Sequence, residues 1–559
     1  MRVLILGGYG TFGARLAQLL QDEPQATITI AGRSLQNAQK FCATLRGGAT
    51  AEEFDRDGDV ESQLRKIAPN LVVDASGPFQ EYRDPYRVVR AAIALRIDYL
   101  DLADGSGFVE GIEQYDELAR TSGLFVLSGV SSFPVLTAAV VSILATDMKR
   151  LYRVTGGIAP SPYAGVGLNV IRAIASYGGK AVIADIGRRS TTVGSALIDS
   201  RQFTIAPPGR LPLKPIRFTL VDVPDLNTLP KLWPGLQAVW MGAGPVPAIL
   251  HWALTLLAYG VRFRLLSSMT PFAKLMHGTI NVLRWGEHRG GMFIEVEGTN
   301  DAGETIVRSW HLVAEGDDGP LIPSMAAAAI VRRCISGRRP SSGARSAASD
   351  LDLADYNSLF ECRAIVTGVR QTMPPNLGWP LYRRVLGAAW GQLPSQVRSL
   401  HEFSDGLVAE GRAFIDRGNG LLARLIAMLF RFPAAGQDVQ VRVTFQSDGS
   451  REIWRRNFAG REFVSVQEEG KGRFERLISE RFGPFAFGLA LVLDAGRLRL
   501  IVRGWSLFGI PLPLALAPGG DAYEASVDGR FNFYVEICHR LTGLIVRYRG
   551  WLVPVTASN

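Results

Sequence analysis

Cysteine is scarce in this chain: four residues in 559, at Cys42, Cys334, Cys362 and Cys538. No two stand as C-x-x-C, which argues against a zinc site, and no closely spaced pairs suggest a disulfide framework. The first residues run straight into a strand-like segment, with no charged leader and no small-residue cleavage site. A cytoplasmic location is therefore expected, with membrane association left open. An excess of one charge is also lacking, since 61 Lys and Arg against 52 Asp and Glu leave a net +9. With no dense Lys/Arg block and no interleaved aromatics in the first half, no nucleic acid partner is expected. The small basic excess suits an anionic cofactor or an anionic membrane surface. Long apolar runs are missing as well. The most apolar stretch, residues 245–261, is closed by Arg262 and Arg264. It falls short of the roughly 20 residues a spanning helix needs, so a buried or interfacial helix is expected there. His251, His277, His288 and His311 are scattered, and no metal site is expected.

The length, by contrast, suggests three or four domains at about 150 residues each. Residues 2–6 are a short apolar run that breaks into glycines, and residues 11–20 carry Phe12, Leu16, Leu19 and Leu20 at helical spacing. Gly8, Gly10 and Gly13 thus form G-x-G-x-x-G between a strand and a helix. The first glycine is expected to make the tight turn, the second to admit a pyrophosphate, and the third to let helix and strand pack closely. Thr11 and Phe12 open the helix whose N-terminus would face that anion. The next strand, residues 27–31, is followed by Gly32, Arg33 and Ser34, with no acid to hold a ribose 2′-hydroxyl. A planar cation and a hydroxyl suit a 2′-phosphate, so NADP is expected in preference to NAD. Asp55 is expected near the adenine edge. Residues 70–75 read as a buried strand ending in Ser76, Gly77, Pro78 and Phe79, expected along the nicotinamide half.

The order GGYGTFG, AGRS, DASGPF and DYLDLAD resembles the NADP-binding domain of the saccharopine dehydrogenase-like oxidoreductases, over about the first 135 residues. That resemblance implies a Rossmann-like fold and hydride transfer to or from a carbonyl, imine or enoyl substrate. Tyr99 and Asp101 match the family's Tyr-x-Asp-Leu and are the candidates for shaping the catalytic end. The acid that follows is displaced to Asp104, and the turn at residues 129–134 lacks the family's Asp.

The expected organisation is α/β throughout the first part. A Rossmann-like doubly wound parallel sheet spans residues 1–130 and an α+β substrate or dimerisation domain residues 131–345. A linker follows at 346–372, then a mainly antiparallel β domain at 373–559. Alternating runs such as "DVQVRVTFQ" and turns at Asp448-Gly449 and Asp528-Gly529 carry the last assignment. "IWRRNFAGREF", "GIPLPLAL" and "GLIVRYRGWL" resemble a bacterial domain of unknown function, the 4166 type. Its Trp454, Phe485, Phe487, Trp505 and Phe508 either line an apolar pocket or are plain core. The leading reading is an NADP-dependent oxidoreductase acting on a small molecule. The alternatives are a non-catalytic dinucleotide sensor coupled to a C-terminal ligand- or lipid-binding domain, and a lipid reductase at a membrane surface. Homodimerisation and peripheral membrane contact stay open.

Overall fold

The computed structural model describes residues 1–186, 189–245, 247–372 and 378–555. Its described residues divide into two compact units: residues 1–203 with 216–367, and residues 204–215 with those from 368 onward.

The first unit begins with β1 (Arg2–Leu6), α1 (Thr11–Leu20), β2 (Thr27–Gly32), α2 (Leu35–Cys42), β3 (Thr50–Glu53), α3 (Val60–Ile67) and β4 (Leu71–Asp74). It continues with α4 (Arg87–Ala94), β5 (Asp98–Asp101), α5 (Ser106–Gly111), α6 (Asp116–Thr121), β6 (Phe125–Ser128) and α7 (Thr137–Leu144). These strands form one sheet in the order β6-β5-β4-β1-β2-β3, and every pair is parallel. Such a sheet is covered on both faces, which is why β1 and β4 read as unbroken apolar runs rather than alternating ones. Val3 to Leu6 and Leu71 to Val73 are all at most 2% exposed. Each such side chain contributes about 1.5–3 kcal/mol on burial. The strand order reverses between β1 and β4, and ligands bind beyond the carboxyl ends at that switch.

A seventh parallel strand, Gly343–Ser346, joins β6 at the edge of this sheet. The polar run around it is a structural part of the unit because its charges are paired: Arg339 with Asp98, Arg345 with Asp350, Arg333 with Asp355. Residues 346–372, expected as a linker, hold the helix Leu353–Phe360 and the strand Ile365–Thr372. The helix Ile322–Ile335 packs along α1, with the Ser324 hydroxyl donating to the Phe12 carbonyl at 3.0 Å.

The rest of the first unit is a second sheet around β7 (Arg150–Ala159). It includes the expected hairpin, Arg289–Thr299 against Thr305–Glu315. Next to it lies α8 (Leu168–Tyr177). The apolar stretch at 245–261 becomes the helix Ala248–Arg262, followed by Ala273–Val282. Among the described residues no helix is long and apolar enough to cross a membrane.

The second unit is a 10-strand antiparallel barrel, closed by pairing of Phe485–Asp494 with Arg497–Leu507. Residues 204–215 belong to it: Leu493 donates to the Gly209 carbonyl at 2.8 Å, and Arg370 to that of Ala206 at 2.6 Å. The strand Gly406–Arg417 and the helix Leu421–Leu429 lie in a stretch of the expected β domain where no individual element was assigned.

Candidate functional site

The turn after β1 is tighter than the glycine motif alone suggests. Gly7, not Gly8, adopts the left-handed conformation, at φ +67°. The Gly10 amide closes the turn on the Gly7 carbonyl at 2.8 Å. Gly8 is needed for packing, because a Cβ there would lie 2.9 Å from the Ile30 side chain and the Ile5 carbonyl. Gly13 is needed for the same reason, with its Cβ position 2.4 Å from the Gly7 carbonyl oxygen. The third glycine therefore does what was expected, while the tight turn belongs to Gly7, the first member of the Gly7-Gly8 doublet.

A cleft of about 580 Å3 opens at the switch between β1 and β4. Gly10, Thr11, Phe12, Arg33, Asp55, Ser76, Gly77, Pro78 and Phe79 all line it, as do Gly7, Tyr9 and Arg56. Gly8, Gly13 and Ser34 do not line it. The Ser34 hydroxyl caps α2 by accepting from the Asn37 amide at 3.3 Å, and the Ser34 amide donates to the Tyr9 hydroxyl at 3.1 Å. Arg33 is exposed and, among the described residues, has no ion-pair partner. Asp55 is fixed in its loop, with its amide donating to Gln63 at 2.7 Å and its carboxylate accepting from the Asp57 amide at 3.0 Å.

Two helices aim their N-termini into this cleft. α1 starts from Gly10, and α8 starts from Gly167, which also lines the cleft. The two starts nearly touch, since a Cβ on Gly167 would sit 2.6 Å from the Thr11 hydroxyl. Free amides and the aligned peptide dipoles at both starts favour an anion there. The floor is a buried polar network. Arg56 pairs with Asp74 and donates to the Ser76 hydroxyl at 2.9 Å and to the Pro85 carbonyl at 2.7 Å. Its guanidinium lies 4.3 Å from the Tyr82 ring centre, and the Tyr82 hydroxyl donates to the Ser76 carbonyl at 2.6 Å. From the second sheet's side, Asn169 on α8 donates to the Gly77 carbonyl at 2.8 Å.

Tyr99 and Asp101 lie beneath the site rather than in it. Both are fully buried and neither lines the cleft. β5 is an inner strand of a sheet covered on both faces, so its side chains face core, and Tyr99 packs among core residues of the sheet. Asp101 accepts from the Ser128 hydroxyl at 2.9 Å and from the Ala103 and Gly129 amides at 3.0 Å each. It ties the ends of β5 and β6 together.

The acid that does reach the site is Asp104, three residues further on. It lines the cleft and also a second, mostly apolar cavity of about 680 Å3 in the same unit. Thr11, Phe12, Gly167 and Val170 are likewise shared by both. Asp104 is open to these lumens yet surrounded by protein, so burial raises its carboxyl above the usual range and the Asp222 charge adds to this. Asp222, Ser106 and Tyr177 line the second cavity beside apolar residues such as Ile171, Leu254 and Met276. The displacement of this acid from the family pattern was the only sequence signal for it.

The glycine turn, the parallel order and the cleft at the switch point together decide the N-terminal assignment. Residues 3–126 match the saccharopine dehydrogenase NADP binding domain. The NADP binding domain makes this part of the chain nicotinamide dinucleotide-binding, of the kind found in NAD(P)-dependent oxidoreductases. Residues 393–552 match the domain of unknown function DUF4166. Among solved structures, apo saccharopine dehydrogenase (L-Glu forming) from Saccharomyces cerevisiae is 13% identical, covering 66% of this chain and 100% of its own, with a TM-score of 0.45. Biliverdin reductase from Synechocystis, in complex with biliverdin and NADP+, is 13% identical over 63% of this chain and 94% of its own, at 0.30. The WlbA dehydrogenase from Thermus thermophilus, in complex with NAD and alpha-ketoglutarate, is 12% identical over 61% and 90%, at 0.29. No curated protein matches the chain.

Burial has a consequence for the NADP binding domain that can be measured. It pushes the Asp101 carboxyl up to about 7. An acid whose pKa is raised on folding adds stability that is present in full below its unfolded value of about 3.9. That stability is lost as the pH rises through the folded value. Asp225, also pushed to about 7 by burial, acts with the same sign. Asp101→Asn keeps an acceptor for the Ser128 and Gly129 donors. It should therefore lose less melting temperature between pH 5 and pH 8 than the parent. Identical losses in thermal melts at the two pH values would contradict this.

Proposed function

We propose that the chain is an NADP-dependent oxidoreductase whose substrate is an apolar carbonyl, imine or enoyl compound held in the second cavity. The observation that carries this reading is the shared edge of the two cavities at Thr11, Phe12, Asp104, Gly167 and Val170. A group bound in the polar cleft would meet there a compound bound in the apolar one. The fit of a dinucleotide rests on the two helix N-termini and on Gly10, where a Cβ would stand 3.0 Å from the Gly7 carbonyl oxygen. Gly10, Thr11 and Phe12 would hold the pyrophosphate through backbone amides. Arg33 would pair with the 2′-phosphate, which favours NADP over NAD because no acid ends β2. When bound, the dinucleotide supplies or accepts a hydride.

The chain's own contribution is orientation and a proton. Asp104, whose carboxyl burial raises above the usual range, gives its proton in the reductive direction to the substrate atom that gains electrons. The apolar wall excludes water and sets the substrate class. Tyr177, raised by burial and by the charges of Asp104 and Asp222, stays a neutral hydroxyl beside them.

Peripheral contact with an anionic membrane is part of this proposal. The helices Ala248–Arg262 and Ala273–Val282 expose Trp252, Leu256, Leu275 and Val282, and Phe263 caps the first of them, each at least 60% exposed. Between Asp225 and Glu287 the chain has no acid, while Arg262, Arg264, Lys274 and Arg284 flank that apolar surface. An apolar face with a cationic rim is what an anionic bilayer surface binds.

Three measurements test these points. Arg33→Asp should weaken NADPH binding by about tenfold or more, the value of one charge-assisted hydrogen bond, and NADH binding far less. Nicotinamide fluorescence reads both, and equal losses would remove the 2′-phosphate assignment. Asp104→Asn should lower turnover by about 10²–10⁴ on a panel of apolar enals, ketones and imines, with NADPH affinity unchanged. Full activity would remove the proton role. The purified protein should sediment with phosphatidylglycerol vesicles at low salt, and Trp252→Glu with Leu256→Glu should release it. Protein that stays in the supernatant would end the membrane proposal.

A further inference from the structure

The barrel of the second unit encloses a cavity of about 600 Å3. Small closed barrels either fill their interior with side chains or keep room for one ligand. This one keeps room, and the volume lies inside the range of small-molecule sites, about 300–1,000 Å3. Its wall is mostly apolar: Val443, Phe445, Phe487, Leu489 and Val502 are among the residues facing inward. The outer surface has the opposite character. Cross-strand ion pairs there join Arg442 to Glu410 at 3.4 Å, Arg451 to Glu468 at 3.0 Å and Arg455 to Glu462 at 3.7 Å. A barrel that is charged outside and apolar inside faces water and shelters something apolar, the reverse of a membrane barrel.

The few polar groups on the wall narrow the ligand further. Arg456 pairs with Glu480 at 3.2 Å, and His401 with Glu524 at 2.6 Å. These four deep charges thus satisfy each other, Arg499 on the lining pairs with Asp521 at 3.0 Å, and Arg540 lines the cavity from an exposed position, so a ligand charge would find no free counter-charge among the buried groups. Two buried polar atoms on the wall, Gln467 Oε1 and His401 Nδ1, have no hydrogen-bond partner among the described residues. Their residues are each 1% exposed and both line the cavity. An unsatisfied buried acceptor costs about 1–3 kcal/mol, so such atoms in a cavity wall are a place for a ligand's polar group. The seam between Arg497–Leu507 and Ala522–Val527 is held by only the pairs Leu498–Glu524 and Arg499–Tyr523. Residues of the segment 514–521 line the cavity beside this short seam.

We propose that the barrel binds one neutral, largely apolar molecule bearing a hydroxyl, with that hydroxyl donating to Gln467 Oε1 or meeting His401 Nδ1. The site is separate from the dinucleotide cleft and stands whether or not the proposed reaction does.

The test uses the full chain with all-trans-retinol as a fluorescent neutral alcohol and retinoic acid as its charged counterpart. Val443→Trp and Val502→Trp, on different strands, fill the barrel cavity and leave the first unit untouched. Retinol capacity should fall by one equivalent per chain in both, with NADPH binding unchanged. Gln467→Leu, which keeps the cavity volume, should weaken retinol at the barrel by about tenfold. Retinoic acid should bind the barrel at least tenfold more weakly than retinol. Unchanged capacity in the filled variants would overturn the site. Should neither filled variant fold, an unchanged retinol affinity in Gln467→Leu would overturn it. Equal binding of acid and alcohol would overturn the neutral ligand.

Discussion

The cleft of the first unit depends on one buried ion pair, Arg56 with Asp74. Arg56 comes from the loop after β3 and Asp74 ends β4, so the pair reaches past the carboxyl ends of β2 and β1 to join the edge of the sheet to the switch point. The same guanidinium holds Ser76 and the Pro85 carbonyl, and Asp74 accepts from the Ser76 hydroxyl at 2.6 Å. Removing one partner of such a pair strands a charge in the interior, at about 3–5 kcal/mol. The pair therefore fixes the Ser76 to Phe79 turn more firmly than the turn's own sequence could. It also explains why the Ser76 hydroxyl serves the floor of the site rather than a ligand.

Above that floor the first unit divides its work by polarity. Backbone amides at two helix starts and the free Arg33 line the cleft, while the adjoining cavity is walled by aliphatic side chains. The first lining suits an anion and the second an apolar molecule. Asp104 sits where the two meet, and burial raises its carboxyl above the usual range. The second unit repeats the contrast on a different fold, with paired charges outside the barrel and an apolar lumen within.

Much of the first sheet was legible in the sequence. An all-parallel sheet buries both faces of its strands, so β1 and β4 had to be unbroken apolar runs ending in turn residues. The close packing at Gly13 followed from the same logic, while the tight turn passed from Gly8 to Gly7. That exchange depends on which residue takes positive φ, and a Gly-Gly doublet permits either. The barrel's hairpins were legible through alternation and Asp-Gly turns, but the strand Gly406–Arg417 was not read as one. Of the aromatics singled out there, Trp454 and Phe487 face the lumen, and Phe485, Trp505 and Phe508 are not part of its wall.

By itself the sequence determined local matters: where the first strand stops, where α1 starts, and that no acid ends β2. These depend on neighbouring residues and on period, which a chain carries in its order. Only the tertiary structure decided that Tyr99 and Asp101 are buried supports while Asp104 reaches the site. It alone decided that the polar run near Arg339 is a paired edge of the sheet, and that residues 204–215 belong with the barrel. Those outcomes rest on contacts between residues tens to hundreds of positions apart, and no local pattern records which distant partner a side chain will meet.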